Sequence, residues 1–544
     1  MKLTGFLFAA ALLGSCTQPA AEENYTRHVD PKIGTGGHGH VFVGANVPFG
    51  LVQVGPTSIP QTWDWCSGYH ASDSTVIGFS HTHLSGTGIG DLFDVTVMPV
   101  TGNVTYARGE EADPASGLWS YADRTQEIAR PGYYSVPLTR YGIRAELTAT
   151  ARVGLHRYTF PASEKAAVVF DLENGGCWDK ATETHLAKEG DRTVTGWRHS
   201  TGWAKDQRVY FAAEFSKPFE KFETIGDNYA RASFRTTDGE QVSLKVALSP
   251  VSIEGAKANL AAELPGWDFD ATAAAADKAW NDELSKVKIE TEDETSKRIF
   301  YTALYHTMVA PSLFCDVNGD YYGSDHAIHR NADFTNYTTF SLWDTYRAAM
   351  PLMTVLHPEK MADIVQTMLH IADEQGRLPV WHLWGNETDC MVGNPGIVAV
   401  ADAIVKGIGG FDREKAFEAI RKTAMNPDRG NGLRMEYGYI PCEMFNEAVA
   451  YDMEYALADG AAARAAEALG KADAEAAGEA LHEAENEIDN DRRRPDGGES
   501  LRAKSASDDD GVGQSIEKLK EITGNDRQGE LQQHPKRSAL CEIL

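Results

Sequence analysis

The sequence predicts an α+β, multidomain protein in which a β-sandwich is followed by a helical domain. Short β-branched or alternating runs separated by turn formers fill residues 29–252, and from about Asp268 apolar residues recur at three- and four-residue spacing. Apolar residues make up 42 % of the chain and aromatic ones 10 %, so both parts can bury a core.

The first element is an export signal. Lys2 precedes an apolar stretch from Phe6 to Leu13, and Leu13-Gly14-Ser15-Cys16 has the form of a bacterial lipobox. Residues 1–16 are therefore expected to be a lipoprotein signal peptide with Cys16 as the lipidated first residue, and Thr17 to Asn24 a polar tether. The expected location is the periplasm or cell surface of a Gram-negative bacterium, with the acyl chains as the membrane contact. No apolar run reaches the roughly 18 residues of a membrane span.

The sandwich is expected over residues 25–260. Ala166 to Asp171, Arg208 to Phe215 and Val242 to Leu248 read as strands, with Asn174-Gly-Gly and Asp238-Gly as turns, and many short strands favour a sandwich over alternating βαβ units. The helical domain is expected over residues 266–475. Ala271–Val287, Glu294–Ala310, Ser341–Leu356, Glu359–Asp373, Ile397–Ile408, Arg413–Met425 and Glu443–Ala458 carry the helical period, and Ala461 to Glu485 reads as an Ala/Glu-rich helix. From residue 456 onward there is no Phe, Trp or Tyr, and residues 486–544 have the low hydrophobicity and high charge of a chain that does not pack.

A formal net charge of −28 excludes the basic footprint of a nucleic-acid binder and of a polybasic membrane module. The cysteines after Cys16 are scattered with no C-x-x-C pair, so a zinc ribbon or thioredoxin motif is excluded. Asp316-Val-Asn-Gly-Asp320 starts like an EF-hand loop but has Tyr321 where the turn glycine belongs and Ala327 where the bidentate glutamate belongs.

The chemistry concentrates in loops. His38 and His40, and again His81 and His83, form H-x-H pairs, which on a strand point both rings to one face. Hydrogen-bonded histidines that fix loops are the preferred reading, and a metal pair the alternative. In Trp63-Asp-Trp-Cys-Ser-Gly-Tyr-His70 two indoles flank an acid, an arrangement that suits stacking on a sugar face or pinning a loop into an interface. Asp344 and Arg347, three apart in Ser341-Leu-Trp-Asp-Thr-Tyr-Arg347, form either an ion pair or a fork for vicinal hydroxyls. Trp381, Trp384, Asn386, Glu387 and Asp389 crowd one loop, a density uncommon in a purely structural connection.

Together these segments resemble glycoside hydrolase family 92. The matching stretches are Val29 to His40, Trp63 to His70, Gly78 to Gly88, Arg130 to Ser135, Arg157 to Pro161, Ser341 to Arg347, Trp384 to Cys390 and Tyr437 to Pro441. The resemblance implies a sandwich packed on an (α/α)₆ barrel, incomplete in this chain, with the active site between them. It implies an inverting, calcium-dependent exo-α-mannosidase, α-1,2 linkages foremost, acting on mannose-containing glycans or glycoproteins. It further implies that Asp344, Arg347, Trp384, Asn386 and Glu387 line the mannose pocket while Trp63 or Trp65 shapes it from the sandwich side. Calcium ligands are not assigned by it.

The family's general acid and base lie in later motifs resembling E-G-N-x-W-Q-Y and G-N-x-x-C-G-Q-M, and neither occurs here. The sequence reads as a family member whose frame is lost shortly after Asp473, so no catalytic residue is assigned and the chain is expected to be inactive. The alternative is a non-catalytic surface lipoprotein that holds glycans through the Trp63–Trp65 and Trp384–Glu387 loops.

Overall fold

The computed structural model describes residues 23–471 apart from Pro114 and Cys177. The Cys16 signal, most of the tether, the helix expected beyond Lys471 and the 486–544 tail lie outside the described residues.

Two antiparallel sheets form the N-terminal half. One has six strands in the order Gly55–Thr57, Gly78–Ser80, Thr96–Thr101, Ser163–Asp171, Tyr229–Thr236 and Lys221–Ile225. The other has eight, in the order Lys180–Glu189, Thr193–Thr201, Gln207–Phe215, Glu240–Ser249, Val153–Phe160, Ile143–Ala149, Tyr133–Leu138 and Ile128–Arg130. They face each other: Phe170 of the first stacks on Phe211 of the second at 6.0 Å, and Phe234 meets Phe160 edge-on at 5.5 Å. The three strands read from sequence are all present, each slightly longer than its apolar run.

Helices begin earlier than the change of period suggests. Helix α1 (Ile253–Glu263) packs back on the eight-stranded sheet, started by Ser252, whose side chain accepts the Gly255 N–H. Helix α2 (Phe269–Leu284) and α3 (Glu294–His306) are capped by Asp268 and Asp293. The helix expected over Ser341–Leu356 is instead two, α4 (Leu342–Thr345) and α5 (Ala349–Leu356). Pro351 explains the break: its ring would clash with the Arg347 carbonyl in a continuous helix, whereas in the first turn of α5 its missing N–H costs nothing. Then come α6 (Pro358–Gln375), ended by Gly376 at φ +89°, α7 (Pro395–Val405), α8 (Arg413–Ala424), α9 (Asn431–Tyr437) and α10 (Ala448–Ala468). Helices α6, α7, α8 and α10 enclose a core of Met361, Ile364, Met368, Ile397, Val400, Ile404, Ile420 and Ala462. On α10, Val449, Met453 and Leu457 recur every four residues and stay exposed, beside exposed Tyr437, Tyr439 and Met444. No helix among the described residues is long and apolar enough to cross a membrane.

The two halves are joined by buried polar contacts. Trp280 Nε1 donates to the Asn46 carbonyl at 2.7 Å, and Gln53 Nε2 to the Val309 carbonyl at 2.9 Å. Asp316 accepts from Ser249 Oγ and Asn259 Nδ2, both at 2.8 Å, so the EF-hand-like run serves the domain junction. Trp280 has no exposed surface. Trp280→Ala should cost about 3–5 kcal/mol through cavity formation and the orphaned Asn46 carbonyl, read as a lower urea midpoint; an unchanged midpoint would show the junction is not load-sharing at this point.

Candidate active site

The loops at one end of the sandwich are organised by Arg198, which is fully buried. Its NH1 donates to Asp94 Oδ1 and Asp179 Oδ2, each at 2.6 Å, and its Nε donates to the Leu172 carbonyl at 2.9 Å. Asp94 also accepts from Thr82 Oγ1 at 2.8 Å and from Gln207. Burial pushes the Asp179 carboxyl up to about 6 even beside the guanidinium. Neighbouring Asp91, its carboxyl also raised by burial, accepts the backbone N–H groups of Trp203 and Ala204. A chain of contacts thus sets the 202–206 loop on the sandwich end.

That loop meets the helical domain. Trp203 packs edge-on against Trp381 at 4.7 Å. The Asn386 side chain acts as a strand would: its Oδ1 accepts the Asp206 N–H at 3.0 Å while its Nδ2 donates to the Asp206 carbonyl at 3.0 Å and the Trp384 carbonyl at 2.8 Å. Tyr322 donates its hydroxyl to Asp206 Oδ2 at 3.0 Å, and hydrogen bonds from Arg208 hold that carboxyl below its usual range. Asp206 and Tyr322 carry no sequence signal of this role, because their partners lie 180 and 116 residues apart in the chain.

The residues expected to touch sugar fall into two groups. Trp63 is 47 % exposed; its Nε1 donates to the Gly88 carbonyl at 3.0 Å and the His40 ring stands against it at 4.5 Å. A Cβ on Gly88 would lie 2.7 Å from this indole, so glycine is required by the close approach. Trp65 is half-buried, stacked on His70 at 4.3 Å and tied through Nε1 to Asp73. Asp344 and Arg347 are exposed, but α4 ends between them; Asp344 accepts from Ser341, whereas Arg347 pairs with Glu454 at 2.7 Å and lies over the Trp343 and Tyr346 rings. Trp384 belongs to the second group. It is buried against Phe314 at 5.1 Å and presents no face to a ligand. Glu387 accepts the N–H groups of Val380 at 2.8 Å, Trp381 at 2.9 Å and Asp389 at 3.0 Å, so both its oxygens hold the turn.

The H-x-H pair at 81 and 83 serves the sandwich interior. His81 Nδ1 lies 2.6 Å from the Val95 carbonyl and its Nε2 lies 2.9 Å from His156 Nε2; His83 Nδ1 meets the Gln53 carbonyl at 2.7 Å. Burial lowers the His81 and His83 imidazoles to about 3 and about 4, so they are neutral. His38 pairs instead with Asp64 at 3.0 Å. A separate cavity of about 330 Å³ lies between the eight-stranded sheet and α2, lined by Arg130, Glu146, Arg157 and Asp270 among others. It shares none of the residues above.

Two measurements check this organisation. Arg198→Met should leave Asp94 and Asp179 as uncompensated buried charges and cost about 3–5 kcal/mol in chemical denaturation; a neutral substitution would remove Arg198 as the anchor. His382, beneath the loop, is buried and its imidazole is lowered to about 3. Below about pH 6.5 the unfolded chain takes up a proton at this site that the folded chain refuses, so stability falls with falling pH by about 1.4 kcal/mol per unit. Between about pH 7.5 and about pH 5.5, His382→Gln should therefore lose about 1.4 kcal/mol less stability than the parent. Equal losses would mean that His382 is already charged in the fold.

Comparison with known proteins follows the same division of the chain. The glycosyl hydrolase family 92 N-terminal domain matches residues 28–249, and the family 92 catalytic domain matches residues 255–486. A family GH92 α-mannosidase from Bacteroides thetaiotaomicron, solved with mannoimidazole, is 37 % identical with a TM-score of 0.81 over 84 % of this chain and 63 % of its own. An inverting family GH92 mannosidase from Bacteroides thetaiotaomicron is 29 % identical with a TM-score of 0.75, covering 86 % of this chain and 65 % of its own. A curated secreted glycosidase, otherwise uncharacterized, from Arthroderma benhamiae is 26 % identical over 489 residues, which are 81 % of this chain and 58 % of the relative. The chain thus spans less than two thirds of the length of each of these relatives. With both domains matched in order and a β-rich half followed by a helical half, the chain belongs to glycoside hydrolase family 92.

Proposed function

We propose that this chain is an α-mannosidase by lineage which recognises terminal α-linked mannose, α-1,2 linkages foremost, and that the polypeptide as it stands binds such glycans without hydrolysing them. The observation that carries the reading is the exposed Trp63 indole, held edge-on by Gly88 and His40. The loop after it runs to Asp91, which fixes Trp203 against Trp381 at the domain junction. An exposed indole with a polar rim is what the apolar face of a pyranose stacks on. In this reading Trp63 and Trp65 shape the cleft, and Asp344 and Arg347 hydrogen-bond sugar hydroxyls. Trp384, Asn386 and Glu387 act from behind, as the residues that hold the loop.

The engagement of nearby carboxylates supports the absence of turnover. Inversion needs one carboxylic acid to protonate the glycosidic oxygen and a carboxylate to activate water from the other side. The carboxylates nearest the junction are already engaged: Glu387 by three N–H groups, Glu454 by Arg347 and the Tyr346 hydroxyl, Asp206 by Arg208 and Tyr322. Calcium stands in the proposal on the resemblance alone. Asn386 and Glu387 spend their oxygens on backbone groups, and the one cluster of three ligands among the described residues includes a histidine nitrogen, a poor set for that ion.

The uncovered apolar stripe of α10 supports the further proposal that the helical half is part of an (α/α)₆ barrel. Export and anchoring through Cys16 belong to the same proposal, with a relative described as secreted in support. The alternative, a non-catalytic surface lipoprotein that holds glycans through the Trp63–Trp65 and Trp384–Glu387 loops, draws support from the same engaged carboxylates.

Calorimetric titration with methyl α-mannoside and α-1,2-mannobiose should give millimolar-or-better binding, weakened about tenfold (about 1.4 kcal/mol) in Trp63→Ala. No mannose should be released from p-nitrophenyl α-mannoside. Flat titrations would remove glycan recognition, and turnover by the purified chain would overturn the absence of hydrolysis.

A further inference from the structure

The short hairpin of Tyr321–Tyr322 and Ile328–His329, with the last turn of α6, gathers three side chains that the proposed sugar cleft does not use. Asp325 Oδ1 lies 3.1 Å from His329 Nε2, and His329 Nε2 lies 3.4 Å from Glu374 Oε1. All three ligand atoms fall within 4.8 Å of one another. Ligands about 2.0–2.1 Å from a tetrahedral centre stand about 3.3 Å apart, so the two short edges already have the spacing of a bound ion.

The surroundings orient each donor. Glu374 Oε1 accepts from the Tyr321 hydroxyl at 2.9 Å, and Oε2 accepts the Ser324 N–H at 2.7 Å. Tyr321 stacks on the His329 ring at 4.9 Å and 11°, and the Ala327 N–H donates to Asp325 Oδ1 at 3.0 Å. Gly323 supplies a second, independent observation. Its φ is outside the left-handed region, yet a Cβ there would lie 2.7 Å from both Asp325 Oδ1 and His329 Nε2. Glycine at this position lets both donor atoms come this close to the backbone, and the requirement is one of side-chain packing and not of φ. Asp325 and His329 are about one-third exposed, at 36 % and 34 %, so a fourth position faces water, whereas Glu374 is 6 % exposed.

We propose that Asp325, His329 and Glu374 form a divalent-cation site of the zinc class, with water as the fourth ligand, that staples the hairpin to α6. One imidazole with two carboxylates suits zinc over calcium or magnesium, which prefer all-oxygen sets. Its effect reaches the junction, because the same hairpin carries Tyr322 and His326. Tyr322 donates to Asp206 at 3.0 Å, and His326 Nδ1 lies 2.8 Å from the Tyr322 hydroxyl.

The test is calorimetric titration of the untagged, EDTA-treated full chain with zinc chloride, alongside His329→Ala and Asp325→Asn. Wild type should take up one equivalent more than either variant, at micromolar or tighter affinity, with a raised melting temperature, and far-ultraviolet circular dichroism should show both variants folded. Equal zinc uptake by wild type and a folded variant would overturn the site. Calcium chloride competing at equal affinity would overturn the assignment of class. Because neither readout uses sugar binding or hydrolysis, failure here leaves the mannoside reading standing.

Discussion

A guanidinium with no access to water must be surrounded by carboxylate and carbonyl oxygens, and Arg198 imposes that demand on the end of the sandwich. Asp94 and Asp179 reach it from two different loops, and the Leu172 carbonyl from the end of a central strand. Once these loops converge, Asp91 is placed to hold Trp203, and the 202–206 segment has one position on the surface. Substituting apolar groups for the whole set would stabilise a sandwich equally well. What the ion cluster adds is a defined arrangement of loops that carry no regular hydrogen bonding of their own.

The domain junction extends this logic through side chains that imitate backbone. Asn386 pairs with Asp206 as a neighbouring strand would, and Glu387 collects three N–H groups of its own loop. Polar residues spent in this way are closed to a ligand, whereas Trp63, Asp344 and Arg347 remain exposed. The loop that looks richest in chemistry is thus mostly a support for the others.

Strands and helices were legible where one local pattern decides them, as in Ala166 to Asp171 or Glu359 to Asp373. Helix α1 was not, because its alanine- and glycine-rich run has no marked apolar face; only Ser252 as a cap betrays it. The break at Arg347 is written in Pro351, four residues on. Family membership was legible because long motifs survive in order. Roles within the site were not, since Trp384 differs from an exposed tryptophan only through Phe314, far away in sequence. The Asp325–His329–Glu374 cluster escaped for the same reason: its i,i+4 pair sits on a hairpin and its third member on a distant helix.

Trp203 and Trp381 come from opposite domains and meet with ring centres 4.7 Å apart at an interplanar angle of 60°. Transition dipoles so close and so inclined couple electronically, and the coupling decays steeply with separation. The two indoles therefore form an optical reporter at the seam between the halves, whose couplet in the strong far-ultraviolet indole band depends on the rings staying in contact.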